Sequence, residues 1–304
     1  MTDISHLIRQ SEFSTWDFCR RLHNLQYTRR LSPQHSGRRM PDKGQRDIGT
    51  VYHAGVEEIH LGHSFNSAML AITEKVHELR HIREGFEVPD LTPDLDPEWY
   101  KLQELCLIML EGYVEWLGNE GIDAGNRTLA VEQPFEVALG ETGVSVYGTW
   151  DLVQHNHKLG GVTVDDGKTV GPLDIPHPSD FQMRTYSWAW WKHTGEAPVA
   201  ARHRQARRVR RSATAKPPFY AVPQIPITET IMEAHEAQLI ERAQDIMTAR
   251  TRDTADPMLY PRTSRDCSWR CAFKDICAMV DDGDDIEFVL EQNYYVRETQ
   301  DDND

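Results

Sequence analysis

Apolar residues recur at helical spacing through the first part of the chain. Ser14-Thr15-Trp16-Asp17 reads as a helix start, and Phe18, Leu22 and Leu25 follow it. Ile48, Val51, Val56 and Ile59 predict a second helix, and Met69, Ile72, Val76 and Leu79 a third. Pro97 opens a fourth, with Trp99, Leu102, Leu105, Met109, Tyr113 and Trp116 on one stripe. Cys106 lies beside that stripe and reads as a small buried hydrophobe. The period then changes. Strands are predicted over Thr128–Val137, Val144–Val153 and Gly161–Thr169, with a turn at Gly140-Glu141-Thr142-Gly143. Their short connections predict an antiparallel meander. A helix rich in aromatics starts near Ser179, a short strand is expected around Ala197–Ala201, and a long helix runs from Thr228 to Arg250. Pro257 and Pro261 break the chain after it.

This order predicts an α/β or α+β domain with a helical N-terminal part. The chain has 304 residues, 39% of them hydrophobic, and its eight Trp, ten Tyr and nine Phe supply core material. No apolar run approaches the ~18–20 residues of a membrane span, so no membrane partner is expected. The N-terminus lacks the pattern of a secretory signal, and a cytoplasmic location is expected.

The formal net charge of −15 argues against a uniformly attractive surface for nucleic acid, but the charge is uneven. Phe18–Arg46 holds eight Lys/Arg and one acid, and Ala197–Thr228 holds seven and none. Asp281–Asp304 holds ten acids and one Arg and reads as an acidic tail. The run Arg202, Arg204, Arg207, Arg208, Arg210 and Arg211 is the candidate polyanion surface, with a plain solvated face as the other reading.

Chemistry gathers around the second and third strands. Asp151 follows Gly148-Thr149-Trp150, and Asp165-Asp166-Gly167-Lys168 comes fifteen residues on. If the third strand continues, Asp166 and Lys168 share one face by period two. Two carboxylates can then hold a hard divalent cation, with a lysine to orient water or offset phosphate charge. Asp-Gly is equally a hairpin-turn dipeptide, so on this motif a turn and a site both stand open. Gln182 and Tyr186 are spaced i, i+4 on one face of the next helix, as are Gly49 and His53 upstream.

In this order, Gly49-x-x-x-His53, Gly148-x-x-Asp151, Asp166-x-Lys168 and Gln182-x-x-x-Tyr186 resemble the RecB-type PD-(D/E)xK nucleases. The resemblance is to their iron–sulfur branch, which includes AddB, the RecB-like exonucleases of CRISPR adaptation and bacteriophage relatives. It implies a restriction-endonuclease-like core, a mixed sheet flanked by helices. It places a Mg²⁺ or Mn²⁺ site on His53, Asp151, Asp166 and the carbonyl of Gly167, and catalytic roles on Lys168, Gln182 and Tyr186. It also implies a deoxyribonuclease, an exonuclease on single-stranded DNA or DNA ends, serving recombination, repair or adaptation. Arg207, Arg208, Arg210 and Arg211 would follow the DNA backbone. Two departures stand out. A bulge would make Asp165 the ligand in place of Asp166, and Gly167 fills a slot usually held by a strand-favouring residue. A strand ending before Asp166 would favour a different class, a catalytically degenerate nucleic-acid-binding or assembly protein.

Of five cysteines, Cys267, Cys271 and Cys277 lie within eleven residues, which asks for a metal. The family carries one Cys in an early helix, here Cys19, and three near the C-terminus. Four thiolates suit a [4Fe–4S] cluster or a zinc ion, and His23 could substitute in a zinc site. The expected division is a helical part at 1–126, a nuclease core at 127–256, a Cys-cluster region at 257–280 and the acidic tail at 281–304. The sequence has no Gly-x-x-x-x-Gly-Lys-Ser/Thr loop, so unwinding would need a partner such as a helicase, recombinase or adaptation complex, or ATP-independent fraying.

Overall fold

The computed structural model describes residues 6–33, 46–84, 97–212, 214–251, 267 and 271–297. Pro257, Pro261 and the end of the acidic stretch, 298–304, lie outside the described residues. The chain divides into two units, one of residues 1–37, 136–147 and 236–304, the other of 38–135 and 148–235.

In the second unit, helices α3 (Arg46–His60), α4 (Phe65–Glu84) and α5 (Pro97–Glu120) form along the predicted apolar stripes. They bury Val51, Ile72, Val76, Trp99, Leu102, Met109, Tyr113 and Cys106 together. A Cβ at Gly55 would stand 2.8 Å from the Ile72 side chain, so glycine lets α3 and α4 pack this closely.

The sheet is mixed and seven-stranded, in the order β1-β4-β5-β6-β7, with β3 joined to β4 and β8 to β6. Its strands are β1 (Leu7–Arg9), β3 (Arg127–Ala138), β4 (Ser145–Asn156), β5 (Gly161–Val170), β6 (Ala200–Arg207), β7 (Tyr220–Ala221) and β8 (Gln224–Pro226). Strands β4 and β5 are antiparallel, from Asn156↔Gly161 to Leu152↔Asp165. Strand β6 runs parallel to β5, from Thr163↔Ala200 to Val170↔Arg207. A parallel neighbour needs a crossover, which α6 (Phe181–Thr194) supplies. The predicted three-strand order therefore holds, and the fold is a mixed α/β sheet flanked by helices, as the restriction-endonuclease-like expectation requires.

Of the two readings left open at Asp166-Gly167, the strand holds: β5 continues to Val170, as the predicted strand over Gly161–Thr169 requires, because β6 pairs with it along that length. One expectation is corrected here. Strand β6 extends to Arg207, well past Ala201. Its arginines hid it from a reading of apolar patterns, yet Arg202 and Arg204 are buried there, 5% and 4% exposed.

In the first unit, α1 spans Gln10–Phe18 and begins before the predicted Ser14. The hydroxyls of Ser14 and Thr15 bond back to the carbonyls of Gln10 and Ser11 at 3.5 and 2.9 Å, inside the helix. Helix α1 stops at Cys19, which is extended (φ −163°, ψ 117°), before α2 (Arg20–His23) and a π-helical turn over Asn24–Thr28. The chain continues into β2 (Leu31–Pro33), which pairs antiparallel with β9 (Tyr294–Val296). Between β9 and the earlier chain lie α7 (Glu229–Arg250), α8 (Lys274–Asp282) and α9 (Glu287–Asn293). Leu25, Leu31, Phe273, Ile276, Val280, Ile286 and Leu290 form this unit's buried core.

The acidic stretch from Asp281 is therefore folded as far as Val296, and its acids meet the basic stretch. Arg21 pairs with Asp281 at 2.9 Å and Arg29 with Glu287 at 2.9 Å. Two blocks that read separately as a basic surface and a solvated tail neutralise part of each other.

Candidate active site

Strand alternation sorts the Asp165–Lys168 segment onto two faces. Asp166 and Lys168 face α6. There Gln182 Nε2 donates to Asp166 Oδ1 at 3.0 Å, and Lys168 Nζ donates to Gln182 Oε1 at 2.9 Å. Lys168 Nζ also lies 2.7 Å from Asp166 Oδ2, a buried ion pair. Gln182 Nε2 reaches Tyr186 Oη at 3.1 Å. The i, i+4 pair thus forms a clamp on the Asp166–Lys168 couple. Helix α6 is held in turn by its N-cap: Asp180 Oδ1 accepts from the Met183 N–H at 3.0 Å.

Asp165 points the other way. Arg202 donates to both of its oxygens, at 2.7 and 2.6 Å, and Arg204 Nε to one at 2.6 Å. Arg204 also grips Asp123 at 2.6 and 2.9 Å. A carboxylate committed to two buried guanidiniums is spent as a counter-charge. The bulge that would have made Asp165 the ligand is absent from β5.

His53 approaches across Gly167. A Cβ at position 167 would stand 2.7 Å from His53 Nε2 and 3.5 Å from Asp151 Oδ2. The glycine therefore leaves the space that the histidine uses. His53 Nδ1 is 3.8 Å from Asp151 Oδ2, and that oxygen accepts from the Gly167 N–H at 2.8 Å. Asp151 sits one residue beyond the Leu152↔Asp165 pair, so its carboxylate takes a backbone donor just past the ladder. Gly148 has its own packing reason: a Cβ there would stand 2.8 Å from the Phe135 ring, which stacks on Trp150 at 4.5 Å. Gly49 is less constrained, with Thr169 Oγ1 at 3.4 Å from its would-be Cβ.

One member of the cluster escaped the sequence reading. Glu132 on β3 offers a carboxylate oxygen that, with a His53 nitrogen and an Asp151 oxygen, forms a group whose atoms all lie within 4.8 Å. Glu132 has φ +43°, a left-handed conformation that costs a non-glycine residue ~1–3 kcal/mol and tends to occur at functional sites. A glutamate in an alternating strand carries no mark of its own. The available signal was Pro134, which warns of irregular backbone in a strand.

Burial and crowding of like charge set the electrostatics. Burial first, then the Asp166 charge, push the Asp151 carboxyl up to about 6, against His53, the Gly167 N–H and Lys168. Glu132 is pushed up to about 8 by burial, then by Asp151, Glu57 and Asp166. Burial pulls Lys168 down, but Asp166 and Asp151 outweigh it, so its ammonium is held above the usual lysine range. A site that resists its own carboxylate charges favours an added cation. The cradle at Gly167 and a donor set of hard oxygens with one imidazole fit Mg²⁺ or Mn²⁺. A cavity of about 20 Å³, room for one water or a bare ion, is lined in part by His53, Glu57, Glu132, Asp151 and Gly167. Its far wall includes His60, which burial and then Arg204 push down to about 3, and which bonds Tyr113 Oη at 3.0 Å.

The predicted arginine surface divides. Arg202 and Arg204 turn inward to Asp165 and leave the polyanion set, a correction to the sequence reading. Arg207 donates to the carbonyls of Lys216 and Pro218 at 2.9 and 3.0 Å. Arg210 pairs with Glu104, and Arg211 with Glu111 at 3.1 Å and Glu115 at 2.5 Å. Arg208 is anchored through its N–H to Val170 O at 2.9 Å.

Cys19, Cys267, Cys271 and Cys277 all fall in the first unit. Cys271 is pushed up to about 11, by burial first and then partly by the charges of the other three thiols. Burial raises Cys277, opposed by a hydrogen bond from Arg21. His23 Nε2 is engaged with the buried Glu12 at 2.8 Å, and Glu12 with Arg250 at 2.7 Å, while His23 Nδ1 is buried without a hydrogen-bond partner.

Among the described residues, no helix is long and apolar enough to cross a membrane. Residues 9–278 match the family model of the PD-(D/E)XK nuclease superfamily. Among solved structures, a chain from Eubacterium rectale named "Putative exonuclease" is similar at 12% identity and a TM-score of 0.45, covering 88% of each chain. The protein SSO0001 is similar at 18% identity and a TM-score of 0.32, over 68% of this chain and 95% of that one. No curated protein matches.

Proposed function

Since the chain belongs to the PD-(D/E)XK nuclease superfamily, we propose that it is a divalent-metal-dependent deoxyribonuclease, an exonuclease acting on single-stranded DNA or DNA ends. The observation that carries the reading is the clamp of Gln182 on both Asp166 and Lys168, beside Asp151 and His53. The only condition that favoured a degenerate binding protein, a strand ending before Asp166, is not met.

Asp151, Asp166, His53 and the Gly167 carbonyl would hold Mg²⁺ or Mn²⁺. The bound ion lowers the pKa of a coordinated water and offsets charge on the scissile phosphate. Lys168, kept cationic by its carboxylate neighbours, orients the attacking water or stabilises the charge that grows on the phosphate. Gln182 keeps Lys168 and Asp166 in fixed relation, and Tyr186 Oη holds Gln182 in place. Arg207, Arg208, Arg210 and Arg211 would follow the DNA backbone, with Arg210 and Arg211 exchanging exposed glutamate partners for phosphates. Such exposed pairs are worth only ~0–1 kcal/mol, so the exchange is cheap.

Cys19, Cys267, Cys271 and Cys277 would bind a [4Fe–4S] cluster, with zinc as the alternative. Their gathering in one unit and mutual electrostatic influence support a shared site. The resemblance to the RecB/AddB iron–sulfur branch points to recombination, repair or adaptation, with a helicase, recombinase or adaptation complex as partner. The test is digestion of 5′- and 3′-labelled single- and double-stranded DNA with and without Mg²⁺ or Mn²⁺. Cleavage abolished by chelator and by Asp166→Ala supports the reading. Metal-independent cleavage, or none with any cation, overturns it.

A further inference from the structure

The connection from β5 to α6, residues 171–180, begins three positions after Lys168 and reads Gly-Pro-Leu-Asp-Ile-Pro-His-Pro-Ser-Asp. It holds no Lys or Arg, and its three prolines restrict the backbone. It is also firmly tied. The Gln205 side chain accepts from the Asp174 N–H and donates to the Asp174 carbonyl, both at 2.9 Å. Gln205 is the register partner of Lys168, so the tie lies beside that lysine on the face turned to α6. Arg184 of α6 donates twice to the Pro178 carbonyl, at 3.2 and 3.0 Å. Asp180 Oδ2 lies 3.5 Å from His203, the register partner of Asp166.

One residue past the Gln205 tie stands Ile175, 86% exposed, the most exposed large hydrophobic side chain among the described residues. Single exposed apolar residues are common on protein surfaces. This one is set apart by its place, on a pinned loop next to Lys168 and Asp166. At the foot of the loop Arg208 Nη2 stands 3.8 Å from where a Gly171 Cβ would be. Arg208 also lines an open cavity of about 650 Å³ with Lys101 and Arg210. The cationic surface therefore ends where the apolar loop begins.

We propose that Ile175 is a wedge that inserts at the end of duplex DNA, unstacks the terminal base pair and frees one strand for the Asp166–Lys168 site. This rests on the nuclease reading above and adds a substrate form to it, a duplex end opened without ATP. Base faces are apolar and accept an aliphatic side chain, while phosphate contacts at Arg208 help offset the cost of unstacking. A loop already fixed in place loses little conformational freedom on binding.

The test compares cleavage, by the full chain in Mn²⁺, of blunt duplex DNA and of one of its strands alone. A second measurement uses 2-aminopurine at the terminal base, whose fluorescence rises on unstacking, with Asp166→Ala protein so that the DNA stays uncut. Ile175→Ala should lower the ratio of duplex-end to single-strand cleavage at least ~10-fold. Added to Asp166→Ala, it should remove the fluorescence rise. Ile175→Leu should keep both signals, and melting curves check that the variants are folded. An unchanged ratio in Ile175→Ala, or an undiminished fluorescence rise, would overturn the proposal. A wild type that cleaves single strands but no duplex end would overturn it while leaving the nuclease reading intact. A wild type that cleaves neither would remove both.

Discussion

His53 and Gly167 are packed so closely that a single methyl at position 167 would stand 2.7 Å from the imidazole Nε2. The glycine that departs from the usual strand-favouring residue is thus what brings the histidine onto β5. Gly167→Ala should force the ring away, at ~1–3 kcal/mol of overpacking, and weaken cation binding. Gly167→Val should do so more severely. Mn²⁺ titration with a melting curve checks both. Unchanged binding in Gly167→Val would show that His53 is not a ligand.

The adjacent aspartates should respond in opposite ways. Asp166→Ala and Asp151→Ala should each lose at least ~10²–10³ in cleavage rate. Lys168→Ala should do likewise while keeping metal affinity nearly intact. Asp165→Asn leaves Arg202 and Arg204 buried without their shared counter-charge and should cost ~3–5 kcal/mol of stability. Denaturant melts beside single-turnover cleavage separate the two behaviours. Normal cleavage by Asp166→Ala would void the assignment of that residue.

Stability without metal should fall as pH rises. Asp151 titrates near 6 and Glu132 near 8 in the folded chain, both above the ~4 of an exposed carboxyl. Between pH ~4 and ~8 the folded state therefore holds protons that the unfolded chain has released, and this contribution is lost with increasing pH. The metal-free melting temperature should decline from pH 5 to pH 8. Saturating Mn²⁺ should flatten that decline, as should Glu132→Gln. A metal-free melting temperature that rises steadily over this range would contradict the electrostatics of the site.

Neutralising Arg207, Arg208, Arg210 and Arg211 together should weaken DNA binding. Each lost contact should change the slope of log K against log[salt] by ~0.7 for single strands. Because Arg210 and Arg211 already face Glu104, Glu111 and Glu115, replacing those glutamates with glutamine should tighten binding. A slope unchanged in the arginine variant would mean that these arginines do not contact the DNA backbone.

Anaerobically purified protein should be brown and carry about four irons per chain if the thiols hold the common cubane. Replacing Cys19, Cys267, Cys271 or Cys277 should remove the colour, whereas Cys106→Ser should keep it, since Cys106 is buried in the α3–α5 core. Stoichiometric zinc in a colourless protein would make the site a zinc staple. Metal-free protein with a fully stable Cys19→Ala variant would end the shared-site idea.

Periodicity and residue type alone determined much of this molecule. The stripes of α3 to α5, the β3-β4-β5 order and the face shared by Asp166 and Lys168 follow from local repeats of 3.6 and 2, which need no knowledge of distant chain. The ordered spacings around His53, Asp151, Asp166, Lys168, Gln182 and Tyr186 were legible for the same reason. Charge was not. Whether Arg202 and Arg204 face DNA or Asp165, whether Asp281 is solvated or pairs with Arg21, and whether Glu132 joins His53 depend on which remote groups come within a few ångströms. The tertiary structure decided these, because ion pairing and ligation fall off steeply with distance and a linear sequence carries no record of it.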